Sequence, residues 1–291
     1  MACWVIFEER WSSHWDLSCF IKSDIGLGCY VKNCYLYDEF NYRTMKQFIN
    51  YIVAIMLLGV VSCGEEKDAS DVVMPEFEPF ELSVQAEGCR VEICYQRISN
   101  IDNNPILADI ERQNYTNSFR GYTLEPMDVE ASAEMLVEEY NKEGKQNLQY
   151  SVAGYSYTMD QSVHYTRDNT ILCYETFIET NTGGVHSTYG LWYECFDLAT
   201  GQLYDFSYLF EDEWGNAMRE LAFERLVDVH PTTFVESAAD MPMARSVLIT
   251  EEGIAFVYQT YAVASYVDGI ITLEFTDAEI AATGAPLVWV D

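Results

Sequence analysis

Three glutamates in the second half of the chain, Glu175, Glu179 and Glu194, have the residue type and spacing for acid–base chemistry. They fall on two neighbouring extended runs, and two carboxylates about 5 to 10 Å apart can cleave a glycosidic bond when the pKa of one is raised. With 47 Asp and Glu in 291 residues, however, many carboxylates lie close together by chance. We predict no catalytic residue and no enzymatic activity, and keep a carboxylate-based hydrolase as the alternative.

Histidine offers a second route to chemistry. Of the four histidines, His186 stands beside a glycine pair, Gly183 and Gly184, that is typical of a tight turn. A histidine there either contacts a ligand or hydrogen-bonds across the hairpin, and no partnered nucleophile accompanies it. No GxSxG, HExxH, P-loop, GxGxxG or CxxC motif occurs. We therefore expect neither a metal site nor a cofactor.

Two cysteines form a candidate disulfide. Cys173 and Cys195 are equidistant from residue 184, so a hairpin folded there places them face to face across two strands. That arrangement brings their sulfur atoms near enough for a bridge. Cys89 and Cys94, five residues apart on one extended run, point to opposite faces instead. We predict a bridge between Cys173 and Cys195.

Cys63, another of the nine cysteines, ends a stretch that resembles a bacterial lipoprotein signal peptide. After Met45 and one lysine, an apolar run over 52–61 is too short to span a hydrocarbon core of about 30 Å. The letters VVSC that end at Cys63 are similar to a lipobox, in which a lipid is joined to the cysteine sulfur. We expect residues 45–62 to be removed as a signal peptide, and residues 1–44 to be a spurious N-terminal extension.

The charge of the chain limits its partners. The sequence has 16 Lys and Arg against 47 Asp and Glu, a net charge of -31, and most of the acidic residues follow Cys63. Nucleic acid and anionic lipid are therefore excluded, because their binding requires cationic side chains. A cationic protein would be attracted, although the charge alone also keeps a protein soluble. Glu65 and Glu66 resemble the export signals of some surface lipoproteins, which favours the outer over the inner bacterial membrane.

Hydrophobic periodicity predicts an α+β fold with mostly antiparallel sheets and two to four packed helices. Helices are predicted from Pro105, over 127–144 with Asp128 as its cap and Gly144 as its end, and over 212–228. Extended runs are predicted at 80–85, 90–98, 149–159, 162–167, 170–180, 186–198, 246–250, 253–259 and 269–275.

These runs define three segments after the lipidated cysteine. Residues 63–79 are acidic and contain two prolines, as is typical of a flexible tether. We predict a smaller α+β N-terminal domain over 80–146 and a second α+β domain over 147–291.

Several stretches together resemble a known family. The GGVH segment, the FDLATG turn, the YLF turn and GIAFVYQTYAVASYVDG followed by ITLEFTDAEI are similar to the C-terminal domain of the RsiV-like family of exported bacterial proteins. The VEICYQRIS segment resembles the smaller domain that often precedes it. The resemblance implies an extracytoplasmic α+β module, and the best-known members of the family bind lysozyme through it.

Together these features predict a lipid-anchored binding module of the bacterial envelope that recognises a lysozyme-like protein or an envelope glycan. A hydrolase acting on the envelope and a structural lipoprotein are the alternatives. The aromatic residues either line a recognition surface or pack in the core, and their exposure to solvent would distinguish these two roles. The candidate binding residues are Gly183, Gly184, His186, Tyr189, Trp192, Tyr261 and Tyr266.

Overall fold

Two β-sheets and five helices make up the described part of the chain, residues 72–147, 154–210 and 212–290 of a computed structural model. These residues belong to one compact unit, Asp68–Asp291. The predicted extension 1–44, the signal peptide 45–62, Cys63 and the first residues of the tether lie outside the described ranges. The predicted α+β class with mostly antiparallel sheets is confirmed.

The first sheet has five strands in sequential order, and every neighbouring pair is antiparallel except β2 and β3. A parallel pair needs a long crossover, and two helices between β2 and β3 supply it. The strands are β1 (Phe77–Gln85), β2 (Cys89–Ile98), β3 (Tyr155–Thr166), β4 (Ile171–Thr182) and β5 (Thr188–Asp197).

Helices α1 (Pro105–Ser118) and α2 (Val129–Asn147) cover one face of this sheet. The Asp128 carboxylate accepts a hydrogen bond from the N–H of Ala131 at 2.9 Å, which confirms the predicted cap. The predicted end at Gly144 is wrong, because α2 continues through Asn147. Gly144 is needed for packing: a Cβ atom there would lie 1.8 Å from the carbonyl oxygen of Gly88.

The second sheet has three antiparallel strands, β6 (Ser246–Ile249), β7 (Gly253–Tyr258) and β8 (Ile271–Thr276). All six residues of β7 are buried, since the core lies on both of its faces. The buried Met218, Ala222 and Leu226 of one helix join that core. The helices of this half are α3 (Phe206–Leu209), α4 (Asp212–Val229) and α5 (Asp277–Ala282).

Side chains join the two sheets along β5. The backbone N–H of Tyr193 donates to the Ser246 hydroxyl at 2.7 Å, and the N–H of Ile249 donates to the sulfur of Cys195 at 3.3 Å. These bonds satisfy donors that an edge strand otherwise leaves open. At the β3–β4 turn, the Arg167 guanidinium makes two hydrogen bonds to the Asp277 carboxylate, at 2.8 and 2.9 Å.

Strand boundaries differ from those predicted, and the described parts of the two runs predicted at 149–159 and 162–167 form the single strand β3. Strand β1 begins at Phe77, within the predicted tether. The predicted domain boundary at 146/147 falls near the end of α2, and the parallel pairing of β2 with β3 spans it. No helix in the described ranges is long and apolar enough to cross a membrane.

Candidate functional site

The β4–β5 hairpin carries most of the candidate binding residues. Its strands pair from Ile171↔Asp197 to Thr180↔Thr188, and its loop spans the GGVH segment. Gly183 has φ +88, in the left-handed region that favours glycine, and its N–H donates to the Asn181 side chain at 2.8 Å. Gly184 does not have positive φ, so only one glycine of the pair supplies the turn conformation.

The connection between β7 and β8 forms the neighbouring loop. Tyr261 has φ +66, an uncommon conformation for a residue with a side chain. A 3₁₀ turn at Tyr266–Asp268 is fixed by a capping box between Ser265 and Asp268. This turn projects Tyr266 towards the hairpin loop, where its hydroxyl donates to the carbonyl oxygen of Ser187 at 2.9 Å.

The two loops bring four aromatic side chains together in what we name the aromatic surface: His186, Tyr189, Tyr261 and Tyr266. The Tyr266 ring is central, because its centroid lies 4.7 Å from that of His186, 5.7 Å from that of Tyr189 and 5.6 Å from that of Tyr261. Four of the seven candidate residues therefore meet in space although about 75 positions separate the two loops.

The aromatic surface faces solvent. Tyr261 is 60% exposed, and the neighbouring Val185 and Val267 are 82% and 91% exposed. Core packing therefore does not explain Tyr261, whereas Tyr189 and Tyr266 are half-buried and Tyr204 is buried in the core. Isolated exposed apolar residues are ordinary, whereas here His186, Tyr261 and two valines are exposed in two neighbouring loops.

Carboxylates lie beside the aromatic surface. The Ser187 hydroxyl donates to Glu179, and Asp268 caps the turn that carries Tyr266. Partial burial raises the pKa of the Tyr266 hydroxyl, and the neighbouring tyrosines and Glu179 add to the effect. The surface thus combines ring faces with negative charge.

Trp192 lies apart from the aromatic surface, in a cleft of about 520 Å³ that Tyr189 also lines. It is on the helix-facing side of β5, opposite Thr176. The cleft lies between the loop end of the β4–β5 hairpin and the C-terminal end of β7. Its lining residues are Ile178, Thr180, Thr188, Tyr189, Gly190, Trp192, Pro242, Met243, Arg245, Val257, Tyr258, Gln259, Thr260 and Ala262.

The three candidate carboxylates do not converge. Glu175 and Glu179 are four residues apart on one strand, a separation of about 13 Å, which exceeds that of a glycosidase pair. Glu194 points to the opposite face, where Asn117 donates to it. Glu175 accepts a hydrogen bond from the Tyr193 hydroxyl at 2.8 Å. The predicted absence of catalytic residues among them remains a prediction.

The paired cysteines occupy the other end of the hairpin. Cys173 and Cys195 are opposite each other as predicted, and both are fully buried. They are free thiols in the structure, so the predicted bridge is not formed there. Each sulfur instead contacts the backbone of β6, through the carbonyl oxygen of Ile249 for Cys173 and that of Val247 for Cys195.

Hydrogen bonds decide which thiol of this pair is the more acidic. Burial acts to raise the pKa of Cys173, but hydrogen bonds with Cys195 and His164 outweigh it and lower that pKa. Burial and the neighbouring Cys173 sulfur raise the pKa of Cys195. The two pKa shifts are opposite in direction, so Cys173 is the more acidic thiol of the pair.

One carboxyl group with a raised pKa, that of Glu111, was not among the candidate carboxylates named from the sequence. Burial raises the pKa of Glu111 to about 7, although the Ile98 N–H and the Tyr95 hydroxyl both donate to it at 2.8 Å. Burial likewise raises the pKa of Glu194 to about 7. Glu111 could have been found from its place on the apolar stripe of α1, one residue after Ile110.

No cluster of three or more His, Cys, Asp or Glu side chains able to hold a metal ion occurs within the described ranges. The aromatic surface presents ring faces and carboxylates, and the cleft presents aromatic walls and one arginine.

Comparisons with known proteins find a similarity over part of the chain. Residues 224–277, which run from α4 to the start of α5, match the model of a family described as "Protein of unknown function (DUF3298)". A search of curated proteins gives no match.

Two solved structures resemble the chain. The crystal structure of a DUF3298 family member from Bacteroides fragilis is 16% identical, covers 72% of this chain and 93% of its own, and has a TM-score of 0.55. A DUF3298 family protein from Pseudomonas aeruginosa is 16% identical and covers 72% of this chain and 94% of its own, with a TM-score of 0.49. The likeness to the first structure extends to the fold alone.

Proposed function

We propose that this protein is a lipid-anchored, extracytoplasmic binding module of the bacterial envelope, of the RsiV-like kind, that binds a cationic protein through the aromatic surface. The observation that carries the proposal is the group of exposed and half-buried rings that two distant segments of the chain bring together. Lysozyme is the candidate partner, because it combines a positive charge with action on the envelope.

The chemistry of the aromatic surface suits such a partner. The face of a tyrosine ring attracts the ammonium or guanidinium group of Lys or Arg. Glu179 and Asp268 place negative charge at the rim of the same surface. The net charge of -31 draws a cationic protein towards the molecule from a distance and raises the rate of association.

Partial burial of the central ring also favours recognition. The Tyr266 hydroxyl is held by the Ser187 carbonyl and its ring by three neighbours, so it loses little conformational freedom on binding. Tyr261 projects furthest into solvent and is expected to be the main contact, since tyrosine is common among the residues that dominate binding energy.

The test is a titration of a soluble form, residues 64–291, which contains the whole compact unit 68–291, with a c-type lysozyme. Calorimetry at low and moderate salt, with a neutral protein as control, separates a specific site from diffuse attraction. Saturable binding that persists at moderate salt is expected.

A matched pair of variants locates the site. Tyr261→Ala should weaken binding at least about tenfold, because it removes an exposed ring from the contact. Tyr208→Ala removes another exposed tyrosine, on α3, and should leave binding unchanged. Loss of all binding at moderate salt, or an equal effect of the two variants, would contradict a site at the aromatic surface.

Lipid attachment has its own test. Metabolic labelling of the full chain with a fatty-acid analogue should mark the wild-type protein and not Cys63→Ser. Cys94→Ser, which changes a half-buried cysteine of β2, should keep the label. Fractionation of labelled cells would then show whether the outer membrane carries the protein, and label retained by Cys63→Ser would rule out the anchor.

A further inference from the structure

The cleft beside the aromatic surface differs from the rest of the molecule in charge. Fourteen residues line it, and none of them is Asp or Glu, although these make up 47 of the 291 residues. The one charged lining residue is Arg245. The cleft is thus a locally positive place on a strongly acidic protein.

Arg245 is available to a ligand. Its side chain is exposed, and no ion pair or hydrogen bond to it is found among the described residues. The backbone at Arg245 is nevertheless held in place, because both chain neighbours, Ala244 and Ser246, are buried. Ser246 also accepts a hydrogen bond from the Tyr193 backbone at 2.7 Å, which attaches this segment to β5.

The walls of the cleft are preformed. The Gln259 side chain binds both backbone groups of Leu191, accepting from its N–H at 2.8 Å and donating to its carbonyl at 2.6 Å. Gly190 makes this approach possible, since a Cβ atom there would lie 2.9 Å from the Gln259 oxygen and 3.1 Å from Nε1 of Trp192. The tryptophan ring and the amide are therefore held side by side.

The remaining lining is apolar and aromatic with a few hydroxyl groups. Trp192, Tyr258 and Met243 supply the apolar surface, and threonines supply hydroxyls at the edge. A volume of about 520 Å³ lies within the range of small-ligand sites, which are mostly apolar and carry a small number of placed polar groups.

We infer that the cleft binds a small ligand that carries a carboxylate beside a ring, with the carboxylate on the Arg245 guanidinium and the ring against Trp192. A guanidinium group presents two parallel donors that match the two oxygens of a carboxylate. The absence of acidic side chains from the lining removes the repulsion that such an anion would meet elsewhere on this protein. This inference does not depend on the protein-binding role of the aromatic surface.

Two sources share this ligand chemistry, an acidic sugar and a peptide C-terminus with an aromatic residue. The probes are therefore two pairs, each of an acid and its neutral counterpart. The first pair is N-acetylmuramic acid and N-acetylglucosamine, which lacks the lactyl carboxylate. The second pair is N-acetylphenylalanine and its amide. Each is titrated into residues 64–291 while binding is followed by the fluorescence of Trp192, with Trp192→Phe to identify its signal. At least one acid should bind, and its neutral counterpart should bind at least about tenfold more weakly.

Variants then test the role assigned to the arginine. Arg245→Ala should weaken binding of the acid about tenfold to a hundredfold, the loss expected for a charge-assisted hydrogen-bonded pair. Arg219→Ala makes the same change of net charge on α4, outside the cleft lining, and should have no effect. Arg245→Ala should also keep lysozyme binding, whereas Tyr261→Ala should keep acid binding, so the two proposals succeed or fail separately.

Three results would overturn the inference. If neither acid binds at millimolar concentration, the cleft does not take such a ligand. Equal binding of an acid and its neutral counterpart would remove the role of the carboxylate. Equal effects of Arg245→Ala and Arg219→Ala would show a general effect of charge instead of a site.

Discussion

The two ends of the β4–β5 hairpin share the same strands and the same register but lie in different surroundings. At one end Ile171, Cys173 and Cys195 are buried beneath the second sheet, and their neighbours make hydrogen bonds to β6. At the other end Tyr189 and His186 face solvent beside the 259–269 loop. The first is named here the closed end and the second the open end.

One pair of strands can therefore be part of the core at one end and of the surface at the other. The side chains of β5 from Tyr189 to Cys195 alternate between the two faces of the sheet along the whole strand. Nothing in this local sequence marks the position at which burial by the second sheet stops. The position of β6 decides this, because β6 runs beside the half of β5 that contains Cys195. Beyond β6, Tyr189 is only half-buried and His186 is exposed.

The largest expected effect is at the ion pair next to the closed end. Asp277→Ala should lower the free energy of unfolding by about 3 to 5 kcal/mol, because it leaves the Arg167 charge without its partner. The two side chains are only 13% and 26% exposed, and Asp277 also accepts a hydrogen bond from Trp289. Urea unfolding measures the change.

The matched control for that pair is on the surface. Glu130, which is 57% exposed, forms an ion pair with Arg97. Glu130→Ala breaks this pair and should lower the free energy of unfolding by less than about 1 kcal/mol. Similar losses in the two variants would show that the Arg167–Asp277 pair does not hold the closed end.

The next effect concerns the helix-facing side of the hairpin and depends on pH. Because the pKa of Glu194 is raised to about 7, the folded state keeps a proton that the unfolded chain has lost near its usual value of 4.5. Its contribution to stability is full below about pH 4.5 and is lost as the pH rises through 7. Glu194→Gln should therefore gain up to about 3 kcal/mol relative to wild type between these values.

This gain is measured by urea unfolding of both proteins from pH 4 to 8. Glu78→Gln, a change at an exposed position of β1, serves as the control for the loss of one negative charge. A difference between wild type and Glu194→Gln that is independent of pH would contradict the raised pKa.

A smaller effect tests the contact of the closed end with β6. Cys195→Ala removes the sulfur that accepts from the buried Ile249 N–H, and an unsatisfied buried donor costs about 1 to 3 kcal/mol. Cys94→Ala, at a half-buried position of β2, should change stability by only a few tenths of a kcal/mol. Equal effects in chemical unfolding under reducing conditions would mean that β6 does not depend on this thiol.

The smallest effect distinguishes two glycines at the open end. Gly183→Ala should cost about 1 to 2 kcal/mol, since φ +88 is unfavourable for a residue with a Cβ atom. Gly184→Ala should be nearly neutral, because the nearest atom to its Cβ would be 3.6 Å away. Thermal unfolding of the two variants compares them, and an equal loss would place the strain elsewhere in the loop.

Much of the fold follows from local patterns. The cap at Asp128 and the hairpin centred on residue 184 were both predicted, because each depends on residues within a few positions of one another. The end of α2 was not predicted. Glycine is the residue type of a helix end, but at position 144 it is required because a Cβ atom would collide with Gly88, which is far away in sequence.

The candidate site was predictable in its members but not in its arrangement. The aromatic residues were identified from composition and family resemblance, yet nothing local separated Trp192 from His186. Arg245 and Gln259 were missed because their roles depend on β5, about 50 and 70 residues earlier in the chain. Binding of a cationic protein and lipid attachment at Cys63 stay predictions.

The sequence by itself determined the strands, the helices, the register of the β4–β5 hairpin and the acidic charge, because periodicity, turn residues and composition act over short distances. The tertiary structure alone decided that the 259–269 loop meets the GGVH loop, that β6 buries Cys173 and Cys195, and that Arg245 stands in a cleft free of carboxylates. Contacts between distant segments leave no local periodic signal, since they depend on how complete elements pack against one another.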